Sequence, residues 1–311
     1  MTLDPQAQAL LQQIEASGSE PMNELSPTEA RLLYDAAAEL LRGSPPQPHS
    51  IDSVAIPGPD STLQSRLYRP SAAQRLPLLV YFHGGGYTIG SLDSHDSVCR
   101  SLCVEADCLV ISVDYRLAPE HKYPAAIEDA WAATRWLASH AAELGADPSR
   151  LAVAGDSAGG NLAAVVCLMA KAAGEPKIDL QLLIYPGIEM TCAFKSHQSF
   201  GSDYRLTREL IAWFYGHYFS TQDDKTQWQA SPINAPDLAG LPPAFILTAG
   251  YDPLQDEAKA YADKLALAGV AVKHSHYAGM IHGFITMPGA IDKAGEALTE
   301  CADELRRAFS A

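Results

Sequence analysis

Ser157 sits at the centre of Gly155-Asp156-Ser157-Ala158-Gly159, with the apolar run Leu151-Ala152-Val153-Ala154 directly before it and Gly160-Asn161-Leu162-Ala163-Ala164 directly after. That order predicts a strand, a sharp turn and a helix, with the serine pushed into solvent at the tip of the turn. Small residues two places before and two after the serine let strand and helix approach without side-chain collision. Ser157 is therefore a candidate nucleophile. A bare G-x-S-x-G is common by chance, so its chemistry depends on partners: N–H groups to stabilise an oxyanion, a histidine to take the hydroxyl proton, and an acid to orient that histidine.

Candidates for all three stand at element ends. His83-Gly84-Gly85-Gly86-Tyr87 follows directly on Val80-Tyr81-Phe82. Consecutive glycines let backbone N–H groups come close to a developing oxyanion, and the expected donors are Gly84 and Gly85, joined by Ala158 at the helix N-terminus. The run 244–249 leads into Gly250-Tyr251-Asp252-Pro253-Leu254, which sets Asp252 just off a strand end. Asp256, one helical turn on, is expected inside the next helix as a capping or supporting residue. The run 270–277 leads into a loop, Ala278-Gly279-Met280-Ile281-His282-Gly283-Phe284, whose only histidine is His282. An imidazole there can take the Ser157 proton and return it to a leaving alcohol while Asp252 orients it. The order serine, aspartate, histidine is that of α/β-hydrolases, not that of chymotrypsin or subtilisin.

The elements that must hold these residues are legible as changes of period. Short β runs at 51–56 and 63–68 precede a fully apolar one at 78–82, and further strands are predicted at 109–113, 151–154, 180–185, 244–249 and 270–277. Helical patterns fall between them around 97–106, 125–141, 158–173 and 256–267, with a last helix over 291–309. Strands and helices in alternation, with continuous apolar strands, mean a mostly parallel sheet covered on both faces. Residues 1–48 carry two more helices. Leu3, Ala7, Leu10, Leu11 and Ile14 mark the first; Ser26-Pro27-Thr28-Glu29 reads as a capping box for the second, whose apolar face is expected to be Leu32, Leu33, Ala36, Leu40 and Leu41. Residues 189–235 separate two strands by more than a crossover needs and hold a helical segment with Leu210, Trp213, Phe214 and Tyr218 along one face. An insertion after a strand's C-terminal end lies where such sheets bind ligands. It is expected to form a cap with the N-terminal helices, over a catalytic domain spanning 49–311, and Phe200, Tyr204, Trp213 and Phe214 are its candidates for shortening a pocket.

The apolar class makes up 47% of the 311 residues, ample for a core, and the net charge of -15 disfavours nucleic acid and anionic membranes as partners. No stretch approaches the roughly 18 apolar residues of a membrane span, and no basic-then-apolar leader opens the chain, so a cytoplasmic location is expected. The six cysteines, Cys99, Cys103, Cys108, Cys167, Cys192 and Cys301, lack metal-ligand spacing and read as buried free thiols. His274 and His276 would share a strand face, but no third ligand lies near them in the sequence, so no metal is expected.

His83-Gly84-Gly85-Gly86, Gly155-Asp156-Ser157-Ala158-Gly159-Gly160, Asp252-Pro253-Leu254-Gln255-Asp256-Glu257 and His282-Gly283-Phe284 together resemble the hormone-sensitive-lipase family of bacterial carboxylesterases, as does Asp114-Tyr115-Arg116-Leu117-Ala118-Pro119-Glu120 with Tyr123-Pro124-Ala125-Ala126. The resemblance runs from about residue 50 to the end. It implies an eight-stranded α/β-hydrolase core with a helical cap, hydrolysing short- to medium-chain acyl esters without metal or cofactor, and many such relatives form homodimers through the last strand and neighbouring helices. Asp156 places the chain with members whose elbow has Asp before Ser, and Ala278 stands where many relatives have Pro. Arg116 and Glu120 are expected to tie their loop down, as a pair, rather than to bind substrate. Two alternatives keep the fold. One is ligand binding without turnover, as in the plant gibberellin receptor, against which His282 speaks; the other is hydrolysis of an amide, lactone or carbamate by the same residues.

Overall fold

In a computed structural model, which describes residues 2–310, the apolar runs become β1 (Ser50–Pro57), β2 (Thr62–Arg69), β3 (Leu76–Phe82), β4 (Leu109–Val113), β5 (Ala146–Asp156), β6 (Leu180–Ile184), β7 (Ala244–Tyr251) and β8 (Val272–Ile281). They form one eight-stranded sheet in the order β1-β2-β4-β3-β5-β6-β7-β8. Only β2 runs against its neighbours; every pairing from β4 to β8 is parallel. Between and around the strands lie α1 (Pro5–Ala16), α2 (Pro27–Leu41), α3 (Asp96–Ala106), α4 (Ala125–Ser139), α5 (Ala158–Ala173), α6 (Ser196–Ser199), α7 (Arg208–Tyr218), α8 (Gln255–Leu267) and α9 (Asp292–Phe309).

Strand alternation divides the core in two. Leu78, Val80 and Phe82 of β3 belong to the core covered by α4, α5 and α8, whereas Leu79 and Tyr81 belong to the one covered by α3 and α9. All seven residues of β3 are buried, because a central parallel strand is covered on both faces. The edge strand β8 alternates instead between half-buried and exposed positions until Met280 and Ile281. It also runs further than its pattern predicts. A register shift after Ala249 lets pairing resume at Tyr251 with Ile281, so Ala278 lies within the strand and His282 immediately follows it.

A third apolar cluster sits beyond the C-terminal strand ends, where Ile89, Leu206, Ile211, Phe214 and Leu254 meet Ala30 of α2. The two N-terminal helices thus part company. Ala7 and Leu10 of α1 join the core on the α9 side, and Asp4 N–H donates to the Gly279 carbonyl of β8 at 3.0 Å. α2 starts at the expected capping box, Glu29 N–H donating to Ser26 Oγ (3.3 Å) and Ser26 N–H to Glu29 Oε2 (3.0 Å). Its inward face, however, is Ala30, Tyr34, Ala37, Ala38 and Leu41, while Leu32, Leu33 and Leu40 are exposed. Two faces of this helix fit a 3.6-residue period, and the one with alanines wins because it allows close approach. On α7, similarly, Ile211, Phe214 and Tyr218 are buried and Trp213 only partly.

Arg31 of α2 explains the choice of face. Its guanidinium donates to the Thr88 carbonyl (2.8 Å), the Ala118 carbonyl (2.8 Å) and both oxygens of Glu120 (2.9 and 2.6 Å). The expected Arg116–Glu120 pair is therefore absent. Arg116 turns to Asp129, whose fully buried carboxylate takes two bonds of 2.8 Å, and to Asp60. A buried carboxylate without a cation is costly, so Asp129 claims the nearer arginine and leaves Glu120 to the helix above.

Candidate active site

The turn after β5 holds Ser157 at φ 54°, ψ −118°, outside the regions an L-residue ordinarily adopts. Two close approaches make it possible. A Cβ on Gly155 would lie 2.3 Å from the Gly159 carbonyl, and one on Gly159 would lie 1.9 Å from the Phe82 oxygen of β3. Ser157 N–H donates to the Ile184 carbonyl of β6 at 2.9 Å, which anchors the tip between strands.

His282 Nε2 lies 2.9 Å from Ser157 Oγ, and its Nδ1 lies 2.7 Å from Asp252 Oδ2. Asp252 is fully buried, and its other oxygen accepts the Leu254 N–H at 2.8 Å. With Nδ1–H donated to a carboxylate, the Nε2 lone pair is left for the serine proton. Tyr185 packs its ring 4.6 Å from the imidazole centroid. Asp256, expected as a capping or supporting residue, accepts the Ser196 N–H at 3.0 Å in the first turn of α8.

Gly84 does not occupy the place expected of it. Its N–H donates to Asp156 Oδ1 at 2.9 Å, and a Cβ there would lie 2.4 Å from the other carboxylate oxygen. Asp156 is buried and also accepts the Tyr81 hydroxyl (2.8 Å), with His95 Nε2 3.2 Å away. Burial alone would raise its carboxyl, yet His95 and these hydrogen bonds hold it below the ordinary value. A competing acceptor thus claims the first glycine amide. Gly85, Gly86 and Ala158 line the cavity with Ser157 and His282. At Gly86, φ is 57° and a Cβ would sit 2.2 Å from the Phe214 ring. The cavity walls are otherwise Tyr34 of α2, Tyr87, Ile89, Asp156, Gly187, Met190, Arg205, Leu206, Ile211, Phe214, Tyr215, Leu254 and Gly283. Of the four aromatic candidates only Phe214 is among them; Phe200 and Tyr204 pack against Tyr251, and Trp213 against Phe214 and His217. Tyr34 and Arg205 were not marked by the sequence, since nothing in a local pattern tells which side chain of a loop or helix reaches a cleft, and Gly86 was marked only as part of the glycine run, not as a donor.

A family model described as the alpha/beta hydrolase fold matches residues 79–286. The chain belongs to that family, in its hormone-sensitive-lipase-like branch. This hydrolase is 43% identical over 296 residues to the carboxylic ester hydrolase LipN of Mycobacterium tuberculosis, covering 92% of this chain and 78% of that one. It is 39% identical over 318 residues to the ethyl acetate hydrolase of Pseudomonas putida, covering 99% of both. Among solved structures, an ester hydrolase from the metagenome of Lake Arreo superposes with a TM-score of 0.97 at 41% identity, covering 100% of both chains.

Support beneath the site is polar and buried. Asn161 on α5 donates to the carbonyls of Gly187 and Ala230, both at 2.8 Å. Glu257 accepts the N–H groups of Ile188 (2.7 Å) and Glu189 (3.1 Å) and lies 2.7 Å from His197 Nε2. His274 and His276 both meet Thr248 Oγ1 at 2.9 Å, and among the described residues no third ligand completes a metal group with them. Five of the cysteines are buried and Cys192 partly so; all are free thiols. No helix of the described residues is long and apolar enough to cross a membrane.

His83, under the glycine loop, is fully buried, with Nδ1 2.8 Å from the Gly84 carbonyl and Nε2 without a hydrogen-bond partner. Burial pushes its imidazole from 6.5 down to about 4, with His95 acting in the same direction. Burial would also lower His197, but Cys192 and Glu257 raise it from 6.5 to about 10. A depressed folded value stabilises above the unfolded one, so the His83 contribution is complete above pH 6.5 and lost as pH falls through 4. The raised His197 works the other way: its contribution is complete below pH 6.5 and lost as pH rises through 10. Urea unfolding should show both limbs, the acid one worth about 3 kcal/mol from His83. His83→Gln should flatten the acid limb relative to wild type and His197→Gln the alkaline one; parallel curves would exclude these histidines as the cause.

Proposed function

We propose that the chain is a carboxylesterase in which Ser157 attacks the ester carbonyl, His282 takes its proton and Asp252 orients the imidazole and stabilises its charged form. The observation that carries this reading is the unbroken contact from Asp252 through His282 to Ser157, at 2.7 and 2.9 Å. The tetrahedral oxyanion is held by the N–H groups of Gly85, Gly86 and Ala158, which line the cavity beside the nucleophile. His282 then gives its proton to the alkoxide, the alcohol leaves, and an acyl-enzyme remains on Ser157 until water, activated by the same histidine, releases the acid. Hydrolases named for carboxylic esters and ethyl acetate, at 43% and 39% identity, support the ester as the bond cleaved.

The substrate range we propose is short- to medium-chain acyl esters. Phe214, Leu206 and Ile211 from the insertion and Tyr34 from the N-terminal region stand over Ser157 and limit the room for an acyl chain. α2 and the 189–235 insertion thus make up the cap, with α1 fastened to the body beneath. For the setting we propose the cytoplasm, supported by the free thiols, which suit a reducing compartment. A homodimer would pair through β8, whose outer side is a sheet edge.

p-Nitrophenyl esters from acetyl to palmitoyl test the reading. A burst of p-nitrophenol equal to the enzyme concentration should precede steady turnover, and kcat/KM should fall steeply beyond medium chains. Absence of a burst with steady binding would favour a ligand-binding protein, and undiminished turnover of palmitate would refute the short cavity.

A further inference from the structure

Arg205 lines the cavity that holds Ser157 and His282. Arg31 is paired with Glu120, Arg66 with Asp93 and Asp96, and Arg116 with Asp129 and Asp60; Arg208 of α7 also lacks a carboxylate partner among the described residues, but it lines a neighbouring pocket and not the one that holds Ser157. Among the described residues no carboxylate lies within ion-pair distance of Arg205. Its guanidinium stands 6.0 Å from the Tyr34 ring centre and donates to Met287 Sδ at 3.2 Å, a weak acceptor. The other charged wall residue, Asp156, is already committed to Tyr81, Gly84 and His95. Asp203, two residues before the arginine, is exposed and accepts from Ser202 Oγ at 3.0 Å.

The backbone commits itself to this placement. Arg205 has φ 26° and Asp203 φ 68°, left-handed conformations that non-glycine residues hold only when their surroundings require them. The result sets the guanidinium against Gly283, where a Cβ would lie 3.4 Å from Nη1, one residue from His282. The arginine is only partly exposed, it shares a largely apolar cavity wall with Leu206, Ile211, Phe214 and Leu254, and among the described residues no carboxylate pairs with it. Its planar fork matches a carboxylate with two parallel hydrogen bonds.

We infer that Arg205 is a specificity residue and that the preferred substrates of this site are esters carrying a free carboxylate, such as half-esters of dicarboxylic acids. This rests on Ser157 being the nucleophile. The carboxylate supplies the missing counter-charge, and the ester carbonyl lies within the same cavity, beside Gly85 and Gly86. Since the contact is made by the bound substrate before bond cleavage, it acts mainly on KM.

The test compares monoethyl adipate with ethyl hexanoate, which share a six-carbon acyl chain and differ in its terminal charge, by ethanol release from the full-length protein. Wild type should favour the adipate half-ester in kcat/KM by about tenfold or more, the scale of one charge-assisted bidentate contact. Added salt should reduce the preference. Arg205→Gln should bring the ratio of the two substrates close to one, mainly by raising KM for the half-ester, and Arg205→Lys should restore part of it. Melting temperatures of both variants separate a folding defect from a binding one. A wild type that hydrolyses ethyl hexanoate as well as the half-ester, or a ratio unmoved in folded Arg205→Gln, overturns the inference. A wild type that hydrolyses neither overturns instead the assignment of ester hydrolysis.

Discussion

Ser157→Ala should abolish ester hydrolysis, lowering kcat by a factor on the order of 10⁶. In the proposed mechanism the hydroxyl is the atom that forms the acyl bond, and no neighbour can replace it. Asp252 is buried behind His282, and among the described residues no cysteine lines the cavity that holds Ser157. What survives in the variant is substrate binding and whatever oxyanion stabilisation the Gly85, Gly86 and Ala158 amides give to direct attack by water. The fold should be indifferent to the change, because alanine removes one partly exposed oxygen and keeps the backbone contacts to Ile184 and Asn161. A fluorophosphonate probe followed by peptide mapping checks the same claim covalently: label on the peptide containing Ser157 in wild type, and none in the variant. Retained activity in Ser157→Ala, or label on another residue, would remove the basis of the mechanism.

Asp252→Asn should cost about 10⁴-fold in kcat with little loss of stability. Asparagine fills the same volume and can still accept the Leu254 N–H, which now bonds Oδ1 at 2.8 Å. Its amide can present N–H rather than oxygen to His282 Nδ1, however, and the imidazole then holds its proton on Nε2. In that tautomer the nitrogen 2.9 Å from Ser157 Oγ is a donor and cannot take the serine proton. The carboxylate's second contribution, stabilising the imidazolium during attack, is lost as well. Steady-state kinetics on p-nitrophenyl acetate and a thermal melt check the two halves separately. A loss below tenfold in a normally folded variant would mean that another group orients His282.

How much could be read in advance depended on the range of the interaction involved. Strand and helix positions were legible because they follow from local period: the run 151–154, the helix at 158–173 and the last helix all appear within a few residues of where apolar spacing puts them. Ser157, Asp252 and His282 were legible for a related reason. Each stands at the C-terminal end of a parallel strand, and parallel strands in one sheet bring those ends to one edge whatever the intervening residues are. Choices between two locally equivalent options were not legible. α2 offers a leucine face and an alanine face of equal period, and contact with the body selected the alanines. Arg116 had Glu120 nearby in sequence, but Asp129, fully buried, had the stronger need for a cation. Gly84 and Gly85 look alike in the sequence, and only the approach of the Asp156 carboxylate to one of them took its N–H away. The end of β8 depended on a register shift against β7.

The sequence by itself determined the sheet, its element order and the places of Ser157, Asp252 and His282 at strand ends, because apolar periodicity and glycine placement act along the chain. Tertiary structure decided which amides face the cleft, which side chains of α2 and the 189–235 insertion enter it and that, among the described residues, no carboxylate pairs with Arg205 there. Those outcomes depend on groups far apart in sequence competing for the same hydrogen bonds and the same space, and such competition has no local signature.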